Sequence, residues 1–151
     1  MTPLVEGFSE GANLVLAVGE VQARHLGHNA IGTEHLLLGL CSDADSATAR
    51  VLESVGVTYL AVLGRVQSLD RFHDDIPGGI LHGHLPFTLR AKQALAYAVE
   101  ERLRLERAVV DAPAILLGLI RQEDSQGTQI LAELGVNLAE LRAIVLDGYA
   151  V

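Results

Sequence analysis

Residues 8–57 recur, without a gap, 79 positions further along the chain, as 87 lies from 8. Phe8-Ser9 returns as Phe87-Thr88, Ala12 as Ala91, Leu16-Ala17 as Leu95-Ala96 and Leu26 as Leu105. Leu37-Leu38-Gly39-Leu40 returns as Leu116-Leu117-Gly118-Leu119, and Asp45-Ser46 as Asp124-Ser125. Leu52 matches Leu131, and Gly56-Val57 matches Gly135-Val136. Composition alone does not generate so long a register, so the chain is two copies of one unit. A tandem pair of this kind packs its halves about a pseudo-twofold axis, which leaves a seam between related but non-identical surfaces. Such a seam is where a ligand site is expected.

Each copy reads as four helices. In the first, Ala12, Val15, Leu16, Ala23 and Leu26 carry the three-to-four spacing of one helical face from about Ser9 to Leu26, and Gly27-His28-Asn29 stops it. A short apolar helix from Thr33 through Leu40 is expected at the centre of the unit. Asp45-Ser46 caps a third helix that Gly56 ends. A fourth starts at Thr58, with Leu60, Leu63, Val66 and Leu69. In the second copy Asn137 caps the equivalent helix, with Glu140 at the capping-box position. Strand signals are nearly absent, so the expected fold is all-α: two tandem four-helix repeats with pseudo-twofold symmetry. The chain is read as one domain over 1–151, with repeat one at 8–70, a linker at 71–86 and repeat two at 87–148. The linker holds Asp74-Asp75, Pro77-Gly78-Gly79 and three histidines, too polar and turn-rich for one helix.

At 151 residues, half of them hydrophobic, the chain can bury about 70% of its unfolded surface and needs no covalent staple. Cys41 is its one cysteine, which excludes an internal disulfide and four-cysteine metal sites. No stretch has the length and apolarity of a membrane span, and the first residues lack a basic leader, so a soluble, cytoplasmic protein is expected. The formal net charge is −8, and Lys92 is the lone lysine among 11 basic residues. Nucleic acid needs a basic face. The one local cluster, Arg102, Arg104 and Arg107, reads as a solvated patch, so neither nucleic acid nor membrane is an expected partner. No GxxxxGK[ST] phosphate loop occurs, which argues against ATP hydrolysis. No cofactor or metal is expected either: His82, His84 and His73 sit in the linker without rigid ligand spacing.

Two stretches resemble a known family. His28-Asn29-Ala30-Ile31-Gly32-Thr33-Glu34-His35, continued by Leu36-Leu37-Leu38-Gly39-Leu40, is similar to the GHNxIGTEHLLLGL signature of the Clp N-terminal domain. Gly83-His84-Leu85-Pro86-Phe87-Thr88-Leu89-Arg90-Ala91-Lys92 resembles the start of its second repeat in actinobacterial ClpC unfoldases. The resemblance runs from about Phe8 to Gly148. It implies an eight-helix module that receives substrates and adaptors for the Clp protease. It further implies a phosphoarginine pocket built on Ser9 and Glu34, and a second on Thr88 and Pro113 that has lost its carboxylate. A separate groove for hydrophobic cyclic peptides would use Val5, Leu16, His84, Pro86, Phe87 and Lys92. The loss at Pro113 favours a free-standing protein, acting as regulator or peptide-sequestering decoy, over the N-terminal fragment of a full ClpC ATPase. A small enzyme using the seam, with Glu34, His35 or His84 as acid and base, is the alternative from another class.

The same residues have plainer readings. Thr33 is placed to cap the apolar helix, Glu34 to favour its dipole, and His35 to face a neighbouring backbone. Cys41 stands where the other copy has Ile120, which points to a buried, inert thiol. Phe8 and Phe87 read first as core or seam residues, and no catalytic residue is assigned.

Overall fold

A computed structural model of the protein describes residues 5–69 and 83–149. They form eight helices: α1 (Glu10–His25), α2 (Thr33–Ser42), α3 (Ala47–Ser54), α4 (Tyr59–Gln67), α5 (Leu89–Arg104), α6 (Ala112–Ile120), α7 (Gln126–Glu133) and α8 (Leu138–Tyr149). The architecture is all-α, as the periodicity predicts, and the only strand-like pairing among the described residues is two isolated bridges.

Most helix starts follow from a short polar side chain. Ser9, Ser46, Thr58, Thr88, Asp111 and Ser125 each accept a hydrogen bond from the backbone N–H three residues on. Asn137 does the same for Glu140 at the head of α8. Each bond satisfies one of the donors a helix start leaves open, and losing it costs about 1 kcal/mol. Central helix α2 departs from expectation. Its N-cap is Gly32, without a side-chain bond, so Thr33 does not cap it. The hydroxyl of Thr33 instead accepts from Gly127 N–H at the start of α7, 2.9 Å away. At the end of α1, Gly27 takes φ 74°; its counterpart after α5, Glu106, takes φ 56° in the region where glycine is favoured.

Helices α1 and α2 pack as a pair, and α5 and α6 repeat that pair. The close approach depends on glycine in both copies. A methyl on Gly39 would lie 2.4 Å from the Val15 carbonyl oxygen, and one on Gly118 would lie 2.2 Å from that of Ala94. Thr33 through Cys41 of α2 and Ala114 through Ile120 of α6 are buried, and both copies contribute to one continuous apolar core.

The copies interlock through four backbone bonds. Ile31 N–H donates to Pro86 O at 2.8 Å, and Thr88 N–H donates to Ile31 O at 3.0 Å. Their counterparts 79 positions away do the same: Val110 N–H donates to Gly7 O at 2.9 Å, and Ser9 N–H donates to Val110 O at 2.8 Å. The segment leading into each repeat is therefore pinned to the loop before the other repeat's central helix. Phe8 and Phe87 sit in these two bridges, half-buried against the core.

Candidate functional site

The loop before α2 is held by two buried histidines. Gly32 N–H donates to His35 Nδ1 at 2.8 Å, so that nitrogen is an acceptor. The ring proton then sits on Nε2, which lies 2.7 Å from His28 Nδ1 and donates to it. Both rings are at least 95% buried, and they meet edge to face. His35 faces a neighbouring backbone, as its position predicts, and does structural work there.

That loop places Glu34. Its side chain is fully buried on the first turn of α2. It folds back over Gly32 so closely that a methyl there would meet Oε1 at 2.0 Å. Glycine at 32 leaves the volume the carboxylate occupies.

Glu34 and Thr33 line a cavity of about 150 Å³ at the seam, whose other wall comes wholly from the second repeat. Thr88 and Arg90 reach it from the start of α5, Ser125 and Gln126 from the start of α7. The first turns of three helices thus border one small space. Helix starts present N–H groups and partial positive charge, which suits an anion. The buried carboxylate suits a guanidinium or ammonium. Asp124 at the rim holds Arg90 at 2.6 Å.

Ser9, paired with Glu34 by the resemblance, does not line this cavity. The hydroxyl that shares the cavity with Glu34 belongs to Thr88, because the leading segment of repeat two is the one bonded to the loop before α2. Ser9 is bonded to Val110, at the loop that leads to Pro113.

The six residues of the expected peptide groove are only partly available. Leu16, named for the groove, is a core residue, 1% exposed. Val5 is exposed, with its N–H held by Asn13 Oδ1 at 2.6 Å. Pro86 spends its carbonyl on Ile31, and Lys92 is exposed on α5. His84 lies 3.3 Å from Glu20 Oε1. Phe87 is half-buried in its bridge. Among the described residues, none of these six lines the cavities at Glu34, Pro113 or Glu101.

Glu20 is a residue the sequence reading missed. It is buried on α1, where Oε2 accepts from Leu85 N–H at 2.6 Å and pairs with Arg24 at 3.1 Å. Arg24 also donates to Gly83 O. Together they tie the end of the linker to the first repeat. Its place four residues after Leu16 and three before Ala23, on the apolar face, was the available signal. Glu101 is likewise fully buried, on the Ala94–Ala98 face of α5, and Arg142 grips it with bonds of 2.8 and 3.2 Å.

A larger seam cavity of about 280 Å³ lies beside Pro113. There Asp111 accepts from Ala114 N–H at 3.0 Å and from the Tyr149 hydroxyl, and Arg107 approaches it at 3.5 Å. Burial and the Asp111 carboxylate push the Tyr149 phenol above its usual range. Cys41 is buried, and desolvation pushes its thiol up to about 12, so it is an inert core residue. No three His, Cys, Asp or Glu among the described residues could hold a metal ion; His73 and His82 lie outside them. No described helix is long and apolar enough to cross a membrane.

A family model described as the Clp repeat (R) N-terminal domain matches residues 7–134, and again 86–147. The chain belongs to the Clp N-terminal domain family. The ATP-dependent Clp protease ATP-binding subunit ClpC of Staphylococcus aureus is 37% identical over 138 residues, covering 91% of this chain and 16% of that protein. The chain thus spans about a sixth of the length of the curated relatives it matches. Among solved structures, the N-terminal domain of ClpD from Arabidopsis thaliana superposes with a TM-score of 0.82 at 22% identity, over 99% of both chains. A complex of the ClpV N-domain with a VipB peptide gives a TM-score of 0.69 at 19% identity, over 97% of this chain and 96% of the other. This Clp N-terminal domain therefore has the fold of the ClpD and ClpV N-domains.

Proposed function

We propose that this Clp N-terminal domain is a recognition module for peptide and protein ligands, Clp substrates and adaptors among them. In this reading its seam cavity takes an arginine carrying a phosphate. One observation carries the proposal: a fully buried carboxylate, Glu34, sits where the first turns of α2, α5 and α7 meet. Glu34 would take the guanidinium, and the helix starts with the Thr88 hydroxyl would take the phosphate. The Clp N-domain solved with a peptide supports the wider reading that this fold engages extended ligands. The surface around Pro86, Phe87 and Lys92, with Val5 and His84, is a second proposed peptide contact, without Leu16. Joined to an unfoldase, such a module would hand it captured chains. In trans, it would compete for the same ligands as a regulator or decoy.

Calorimetric titration with phosphoarginine, arginine and inorganic phosphate tests this. Phosphoarginine should bind more tightly than either half. Glu34→Gln keeps the volume and loses the charge, so affinity should fall about 10- to 100-fold, the worth of one charge-assisted contact. No binding to the wild type, or equal binding to Glu34→Gln, would remove the proposal.

A further inference from the structure

The two seam cavities share two related wall positions, and at both the residues differ in kind. Glu34 of the first stands where the second has Pro113, and Gln126 where it has Ala47. A carboxylate and a carboxamide are thus replaced by apolar groups. Leu69, packed against the core after α4, has Gly148 as its counterpart on α8, and Gly148 lines the second cavity. The second cavity holds about 280 Å³ and the first about 150 Å³.

The polar groups that remain are engaged with one another. Asp111 caps α6, accepts the Tyr149 hydroxyl and faces Arg107, whose guanidinium lies over the Tyr149 ring at 5.0 Å. A carboxylate with three partners has little left for an incoming guanidinium, and Arg107 repels one. Val51, Val145, Pro113 and Ala47 supply an apolar wall.

From this we infer that the second seam cavity is a separate peptide subsite that takes an unmodified aliphatic or aromatic side chain. Its volume exceeds that of a leucine or phenylalanine side chain, so either can be buried against its apolar wall. Peptides carrying one such residue bind weakly, with a Kd on the order of 10 mM, and a longer chain spanning both cavities gains by linkage. The inference rests on the walls of this cavity and not on the ligand proposed for Glu34.

The test is a heteronuclear NMR titration with three blocked tripeptides, acetyl-Ala-X-Ala-amide, where X is Leu, Phe or Arg. The Leu or the Phe peptide should shift the backbone amides of Thr48, Val51, Gly148 and Tyr149, and the Arg peptide should not. Gly148→Leu restores the residue type of the first repeat, and a side chain there meets open space, so the fold should persist. It should weaken the apolar peptide at least 10-fold. Ala47→Gln, which restores the other wall, should weaken it too, whereas Glu34→Gln should leave it unchanged. No shifts from Leu and Phe at tens of millimolar would overturn the inference. So would equal shifts from Arg, or Gly148→Leu and Ala47→Gln both binding as the wild type does.

Discussion

Alanine at position 118 would place a methyl carbon 2.2 Å from the carbonyl oxygen of Ala94 and 2.6 Å from the backbone nitrogen of Ala98. Both atoms belong to the backbone of α5, so no side chain can rotate away. Carbon contacts relax near 3.5 Å, which requires α5 and α6 to separate by roughly 1 Å. Overpacking of this kind costs about 3 kcal/mol at the upper end of its range, and helix propensity returns about 1 kcal/mol. The net loss is about 2 kcal/mol, and for a chain of this size Tm falls by roughly 4–8 °C. Gly64→Ala supplies the opposite sign. Gly64 lies exposed inside α4 with nothing near its Cα, so the same change should stabilise by about 0.5–1 kcal/mol. Paired urea denaturation and calorimetry on both variants are the assay. Gly118→Ala as stable as the wild type would show that the helices do not cross as closely as the structure has them.

Two further outcomes follow from buried groups. His35→Phe preserves a ring but leaves Gly32 N–H and His28 without their shared partner, and should destabilise by roughly 3 kcal/mol in chemical denaturation. Full stability in that variant would rule out the two-histidine relay. Because the folded state holds Cys41 protonated up to about 12, its contribution is complete below pH 9, where the unfolded thiol begins to ionise, and is lost as pH rises. Stability should fall by about 1 kcal/mol per pH unit between pH 9 and 12 from this group alone, and Cys41→Ala should show a shallower alkaline slope. Identical slopes would refute the buried-thiol account.

Much of the fold was legible because local signals and repetition agreed. Ser46 and Asn137 cap the helices they were expected to cap, Thr58 stands at the start of α4, Gly56 ends α3, and the leucine runs of α2 and α6 are the buried centres. What was not legible lies between the copies. The resemblance paired Ser9 with Glu34, whereas the backbone exchange at Ile31 brings Thr88 to that cavity. A hydroxyl 54 positions away (34 to 88) leaves no trace in helical periodicity. The same holds for Thr33, whose hydroxyl serves α7 and not its own helix. Leu16 has the apolar spacing of a helix face, the resemblance alone assigned it to the groove, and it is buried in the core. Glu20 and Glu101 went unread because charged residues are ordinarily exposed, although both stand on apolar helix faces where a partner was required.

A ligand entering a pocket shared by the two repeats would meet Glu34 from one and Thr88 from the other. Amide chemical-shift mapping with phosphoarginine tests this. Shifts are expected at Thr33 and Glu34, at Thr88 to Lys92 and at Ser125 to Gln129, with Ser9 and Glu10 unmoved. Shifts centred on Ser9 and Glu10, with Thr88 silent, would contradict it.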